Sequence, residues 1–228
     1  MEIPLYLAMT ASELRNCRSL PQNIAWLSCL FSPYGWGISN TPRQLPPNSL
    51  LILSDRTPIC GHDPELIYQM LLSTINQFSC NGLLLDFESS SLADVELVIQ
   101  KLLKLPCPIA VPAAYAKNFD CPVFTPPCPA DVPLEEHLSP WNGREIWQEV
   151  STVPLAIAVT ESGTTICQPQ SRATLPRIDT SLCCQYGIKL TDQAAIFTLQ
   201  RTEENWRELL AKTSCHITKA IGLYQEFA

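Results

Sequence analysis

Short apolar runs separated by turn residues recur along the chain. They are Pro4 to Met9, Ala25 to Phe31, Leu50 to Leu53, Gly82 to Phe87 and Ile109 to Ala114, then Ala194 to Leu199 and Ala220 to Tyr224. Near-continuous apolar runs mark strands covered on both faces, as in a parallel sheet. Three segments between them carry helical spacing instead. Pro64 to Phe78 places Leu66, Ile67, Met70, Leu71, Ile75 and Phe78 at that spacing, and Asp63 before Pro64 reads as an N-cap with proline in the first turn. Leu92 to Leu103 sets Leu92, Val95, Val98, Ile99, Leu102 and Leu103 behind a run of serines able to cap it. Thr202 to Thr213 opens with Thr202-Glu203-Glu204, a cap followed by acids that suit the helix dipole, and offers Trp206, Leu209 and Leu210 for burial.

Strand, helix, strand repeats predict βαβ units. About eight strands in 228 residues predict an α/β fold, a small (β/α)8 TIM-type barrel. The first and fifth units leave little room for a helix, so the barrel is expected to be trimmed. In the middle, Arg144 to Val150 and Pro154 to Val159 read as strands, and Thr160-Glu161-Ser162-Gly163 reads as a turn into Thr164 to Cys167. Periodicity does not say which of these belong to the barrel. No linker-like stretch and no internal repeat divides the chain, so residues 1–228 are expected to form one barrel domain with an added β-hairpin.

Charge narrows the partners. Lys plus Arg number 15 against 22 Asp plus Glu, a net charge of -7, and no basic cluster is present to neutralise phosphates. Nucleic acid is excluded as an expected partner, while oligomeric state cannot be read. Met1 to Glu13 has no basic residue ahead of its apolar run, so it reads as a first strand and not as a secretory signal. The longest apolar stretches fall far below the roughly 20 residues of a membrane span. The expectation is a cytoplasmic protein without a membrane partner. Eleven cysteines, an odd count with several inside apolar runs, read as small buried hydrophobes. There is no C-x-x-C, and Cys60-Gly61-His62-Asp63 is better read as a helix entry than as a metal site. No metal or cofactor is expected.

One segment carries candidate chemistry, Asn81-Gly82-Leu83-Leu84-Leu85-Asp86-Phe87-Glu88. On a strand, Gly82, Leu84, Asp86 and Glu88 share one face. With Leu83, Leu85 and Phe87 against helices, Asp86 and Glu88 point into the barrel at its C-terminal end, where barrel enzymes keep their active sites. Two carboxylates about 6.6 Å apart along a strand push one pKa upward in a sheltered site. The bland reading of the same residues is a helix cap or a solvated end.

The run resembles the fourth-strand signature D-G-x-D-x-D-x-E of glycoside hydrolase family 18, the chitinase-like barrels, with Gly82, Asp86 and Glu88 on matching positions. By that resemblance Glu88 is the general acid and Asp86 orients the substrate's N-acetyl group, which serves as the nucleophile. The motif is degenerate: Asn81 replaces the first Asp and Leu84 the middle one, which removes a partner that tunes Asp86. Ala220 to Gln225 is weakly similar to the family's last strand, so Tyr224 and Gln225 join the candidate substrate residues. No residue matches the family's sixth-strand tyrosine by position, and Tyr115 and Tyr186 are the candidate substitutes for it. Tyr34 and Trp36, after the second strand, could stack on sugar faces or pack the loop, and Trp147 is a further candidate. The expected function is hydrolysis of N-acetylated amino-sugar glycans. The alternative is a barrel without turnover that binds carbohydrate or a protein partner. No dinucleotide or phosphate loop, G-x-S-x-G elbow or H-E-x-x-H is present.

Overall fold

The structure, a computed structural model, describes residues 2–32, 35–38, 41–42, 44–59, 61–168 and 175–227. In chain order the first elements are β1 (Leu5–Met9), α1 (Ala11–Asn16), β2 (Ile24–Ser32), β3 (Gly35–Ile38), β4 (Leu50–Asp55) and α2 (Pro64–Phe78). Then come β5 (Leu83–Asp86), α3 (Leu92–Leu102), β6 (Ile109–Pro112), β7 (Val123–Thr125), α4 (Leu134–Leu138) and β8 (Ile146–Val150). The last part holds β9 (Leu155–Thr160), β10 (Gly163–Cys167), β11 (Arg177–Asp179), β12 (Cys184–Leu190), β13 (Ala195–Gln200), α5 (Glu203–Lys212), β14 (Ile217–Leu223) and α6 (Tyr224–Phe227).

Strands β1, β2, β4, β5, β6, β7, β8 and β14 pair in parallel in that order, and β14 pairs back onto β1. The sheet therefore closes into an eight-stranded barrel, as the alternating pattern predicts. β3 folds back antiparallel on the upper half of β2, beyond the reach of β1. The trimming is also present: α1 has six residues, and only a single 3-10 turn, Ala116–Asn118, follows β6. The three expected helices form. Asp63 accepts the backbone N–H of Glu65 as the predicted cap, and α2 and α3 bury Ile67, Leu71 and Ile75 with Val95, Val98 and Ile99 outside the barrel. Leu66 lies off that stripe and is exposed.

Two expectations change. The run Ala194 to Leu199 forms β13, which lies outside the barrel in a five-stranded antiparallel sheet of order β10-β9-β13-β12-β11. The predicted hairpin at Thr160 and Gly163 is part of this larger sheet, which is inserted between β8 and the last barrel strand. The barrel's own position is taken by β7, three residues enclosed by Pro122 and Pro126, too short to show a period.

Tyr6, Ala25, Leu50, Ile52, Leu84, Ala110, Phe124, Trp147 and Ile221 fill the barrel's interior. Trp147 dominates this layer. It is wholly buried, its indole N–H donates to Glu145 Oε1 at 3.0 Å, and Lys219 Nζ lies 4.0 Å from the ring centre. Gly82 is small because of it: a Cβ there would stand 2.8 Å from Trp147 Cη2 and 2.9 Å from Leu50 Cδ2. Overpacking of a filled core costs about 1–3 kcal/mol. Gly82→Ala is therefore expected to lower the midpoint of chemical denaturation by that order while leaving circular dichroism native; an unchanged midpoint would contradict this packing.

Candidate active site

The strand period carries the interior pattern upward to the mouth. Leu84 and Trp147 lie in the filled layer, so Asp86 and Glu149, two residues further on, point into the C-terminal mouth above it. Asp86 stands opposite Ser54 in the β4–β5 register, and the Ser54 side chain hydrogen-bonds its carboxyl. A cleft of about 230 Å³ opens here, lined by Asp86, Ser54, Arg56, Glu13, Tyr224 and Gln225 among others.

Electrostatics in the mouth run against ionisation. Asp86 is held above its ordinary pKa, first by burial and then by the charge of Glu88, with a smaller push from Asp55 and an opposing pull from the Ser54 hydrogen bond. Glu149 is pushed up to about 7 by burial, then by Asp86, Glu226 and Glu88. Glu13 behaves differently. Burial would raise it, but hydrogen bonds from Thr10 and Gln225 bring it below its ordinary value.

Glu88 departs from the expectation that it shares the inward strand face with Asp86: β5 ends at Asp86, and Glu88 is exposed on the loop that joins β5 to α3, outside the lining of the cleft. That loop is pinned from beneath by Asp55, an almost fully buried carboxylate on the outward face of β4. Its oxygens accept the backbone N–H groups of Glu88 at 2.7 Å, Ser89 at 3.0 Å and Ser90 at 2.9 Å, and the Ser90 hydroxyl at 2.5 Å. Ser90 Oγ accepts the backbone N–H of Ile59 at 3.0 Å, and the Tyr115 hydroxyl donates to the Ser90 carbonyl.

The other sequence candidates are distributed unevenly. Tyr224 and Gln225 begin α6 and line the cleft, with Gln225 Nε2 donating to Glu13 Oε1 at 2.8 Å and the Tyr224 hydroxyl 3.5 Å from Cys17 Sγ. Tyr115 lies beneath the Glu88 loop, its hydroxyl engaged as described, and Trp147 lies in the barrel floor. Trp36 stacks on Phe31 at 5.6 Å and 16° and meets His62 at 6.0 Å, away from the cleft lining. Tyr34 falls outside the described residues. Tyr186 is on β12 of the antiparallel sheet.

Two residues of this site carry no motif. Glu149 sits in a segment whose place in the barrel the pattern left open; once Trp147 is inward, Glu149 follows. Asp55 lies just past Leu50 to Leu53, where the apolar run ends but the strand continues for two more residues.

A larger groove, about 810 Å³, lies on the outside of the barrel between β1 and α5, lined by Leu5, Leu7, Val150, Trp206 and Leu210. Asp86 is not among its lining residues. Among the described residues, no group of three or more His, Cys, Asp or Glu is placed to hold a metal ion, and no helix is long and apolar enough to cross a membrane.

No family model matches the chain, and no curated protein does. Among solved structures, the crystal structure of the spore cortex-lytic enzyme SleL of Bacillus megaterium QM B1551 superposes with a TM-score of 0.52, covering 99% of this chain and 71% of that one at 9% identity. The two share a fold. At this identity the likeness extends to the barrel and its layout, and what the site does rests on the residues above.

Asp55 offers a direct check. Removing a buried carboxylate with four hydrogen-bond donors strands three backbone N–H groups, at about 1–3 kcal/mol for each group left unpaired. Asp55→Ala is expected to lose several kcal/mol and to raise amide exchange at Glu88 to Ser90 selectively. Exchange at those amides that matches the wild type would contradict the pinning role.

Proposed function

We propose that the protein is a glycoside hydrolase acting on N-acetylated amino-sugar glycans, with its reaction centre at the barrel mouth. The observation that carries this reading is the placement of Asp86 in an open cleft, at the end of the strand whose next residues present Glu88. The shared fold with a spore cortex-lytic enzyme supports it.

In this reading Glu88 protonates the glycosidic oxygen as the leaving group departs. Asp86 orients the substrate's acetamido group so that its carbonyl oxygen attacks the anomeric carbon. Asp86 ends β5 and Glu88 follows it on the adjoining loop, so both approach from one side, which suits assistance by the substrate better than a second carboxylate acting from the opposite face. Tyr224 and Gln225 supply an aromatic face and an amide at the cleft wall. Arg56 adds a cation at its rim.

A second reading, a barrel that binds glycans without turnover, is favoured by Leu84. It sits in the apolar interior layer and supplies no carboxyl below Asp86. Both readings are separated by assaying purified protein on N-acetylglucosamine-containing reporter glycans. Turnover is expected, and Glu88→Gln is expected to reduce it by about 10²- to 10⁴-fold with an unchanged melting temperature, since Glu88 is exposed. Unchanged activity in Glu88→Gln would exclude this mechanism. Binding of the glycans by an inactive wild type would favour the second reading.

A further inference from the structure

The five-stranded sheet outside the barrel has two unlike faces. Directly opposed residues of an antiparallel pair point to the same side, so the register sorts its side chains. One row runs Ile166, Ile157, Phe197 and Ile188 across β10, β9, β13 and β12. The next row runs Thr164, Val159, Ala195 and Leu190 on the same side. On the opposite face Ala156 and Thr198 are buried, and Gln200 donates to the Thr152 carbonyl at 2.8 Å, so that face is the one the chain covers.

The face that carries the two rows has no such cover. None of their eight residues is buried, and none belongs to the cores inside or outside the barrel. Leu190 is 77% exposed, Ile166 75%, Ile188 45% and Val159 40%. Single exposed apolar side chains are ordinary on a protein surface, but a contiguous apolar patch across four strands marks an interface.

We propose that this face is an interaction surface whose occupant is a second copy of this chain, packed sheet against sheet about a two-fold axis. The face is built of strands and suits another sheet stacked about 10 Å away. Neither row carries a charged residue although the chain has a net charge of -7, so the face is complementary to an uncharged apolar surface such as itself. A glycan would find in the two rows only the Thr164 hydroxyl as a polar side-chain group. Five strands about 4.8 Å apart and about 20 Å long give a footprint of roughly 400–500 Å². Side-chain relief brings the accessible surface to about the 600 Å² per partner at which specific interfaces begin. An axis along the strands between β9 and β13 sets Ile157 on Phe197 of the partner subunit and Ile166 on Ile188 of the partner subunit, which is the self-matching that a two-fold contact requires. The proposal is independent of turnover at the barrel mouth.

The test is sedimentation equilibrium of the full chain from about 1 to 100 μM. The wild type is expected to approach twice its mass of 25.4 kDa at the upper end. Ile166→Lys combined with Leu190→Lys alters two exposed positions and so keeps the fold; it is expected to weaken association by about 100-fold or more, leaving a monomer. Leu97→Lys, an exposed position on α3, is expected to remain dimeric. In the wild type alone, the methyl NMR signals of Ile157, Ile166 and Ile188 are expected to shift on dilution while that of Ile67, buried on α2, stays fixed. A wild type that is monomeric throughout would overturn the proposal, as would a dimer that survives in the folded double variant. Isoleucine methyls unmoved by dilution would do so even should the double variant fail to fold. Shifts of those methyls in a monomeric wild type on adding an N-acetylglucosamine oligomer would assign the face to sugar and likewise overturn it.

Discussion

Everything at the barrel mouth depends on how the floor beneath it is filled. A closed ring of eight short strands encloses a narrow space, and here one indole takes up much of it. Trp147 can lie flat inside only because Gly82 has no Cβ and because Glu145 and Lys219 satisfy its N–H and its ring face. That floor is apolar. The next inward positions above it are polar, and they are Ser54, Asp86 and Glu149. The separation into an apolar layer and an acidic layer is set by the two-residue period of the strands.

Placing several carboxyls over an apolar floor has an electrostatic consequence. Coulomb repulsion between them is stronger in a sheltered site, and retaining protons relieves it. Asp86 and Glu149 both sit above their ordinary values for this reason, burial being the larger cause in each. Asp55 has a structural role instead. It also is buried, yet it is surrounded by three backbone N–H groups and a hydroxyl, so its charge serves to hold a loop. One carboxylate thus fixes the backbone from which another is presented.

Much of this architecture was legible in the pattern of apolar runs. All seven runs form strands, six of them in the barrel, and all three helices form, because apolar runs and amphipathic helices leave distinct periods. The exceptions have physical causes. β7 is three residues between prolines, and β13 is apolar enough to resemble a barrel strand although its neighbours run antiparallel. Asp86 and Glu88 could be singled out because they sit in a recognisable spacing. Glu149 could not, since its orientation depends on which side of β8 faces the barrel, and that is fixed by the burial of Trp147 and not by any local signal. Likewise Tyr115 and Trp36 are aromatic residues near the right strand ends, but hydrogen bonding to Ser90 and stacking on Phe31 are contacts that only the folded chain reveals.

The central claim is that the mouth above Trp147 is where a glycan is held. A crystal structure of the Glu88→Gln variant soaked with an N-acetylglucosamine oligomer addresses it most directly. Sugar density is expected in the cleft beside Asp86, with an acetamido group against that carboxyl and a ring against Tyr224. An empty mouth at saturating oligomer, or sugar seated only in the outer groove between β1 and α5, would contradict the claim.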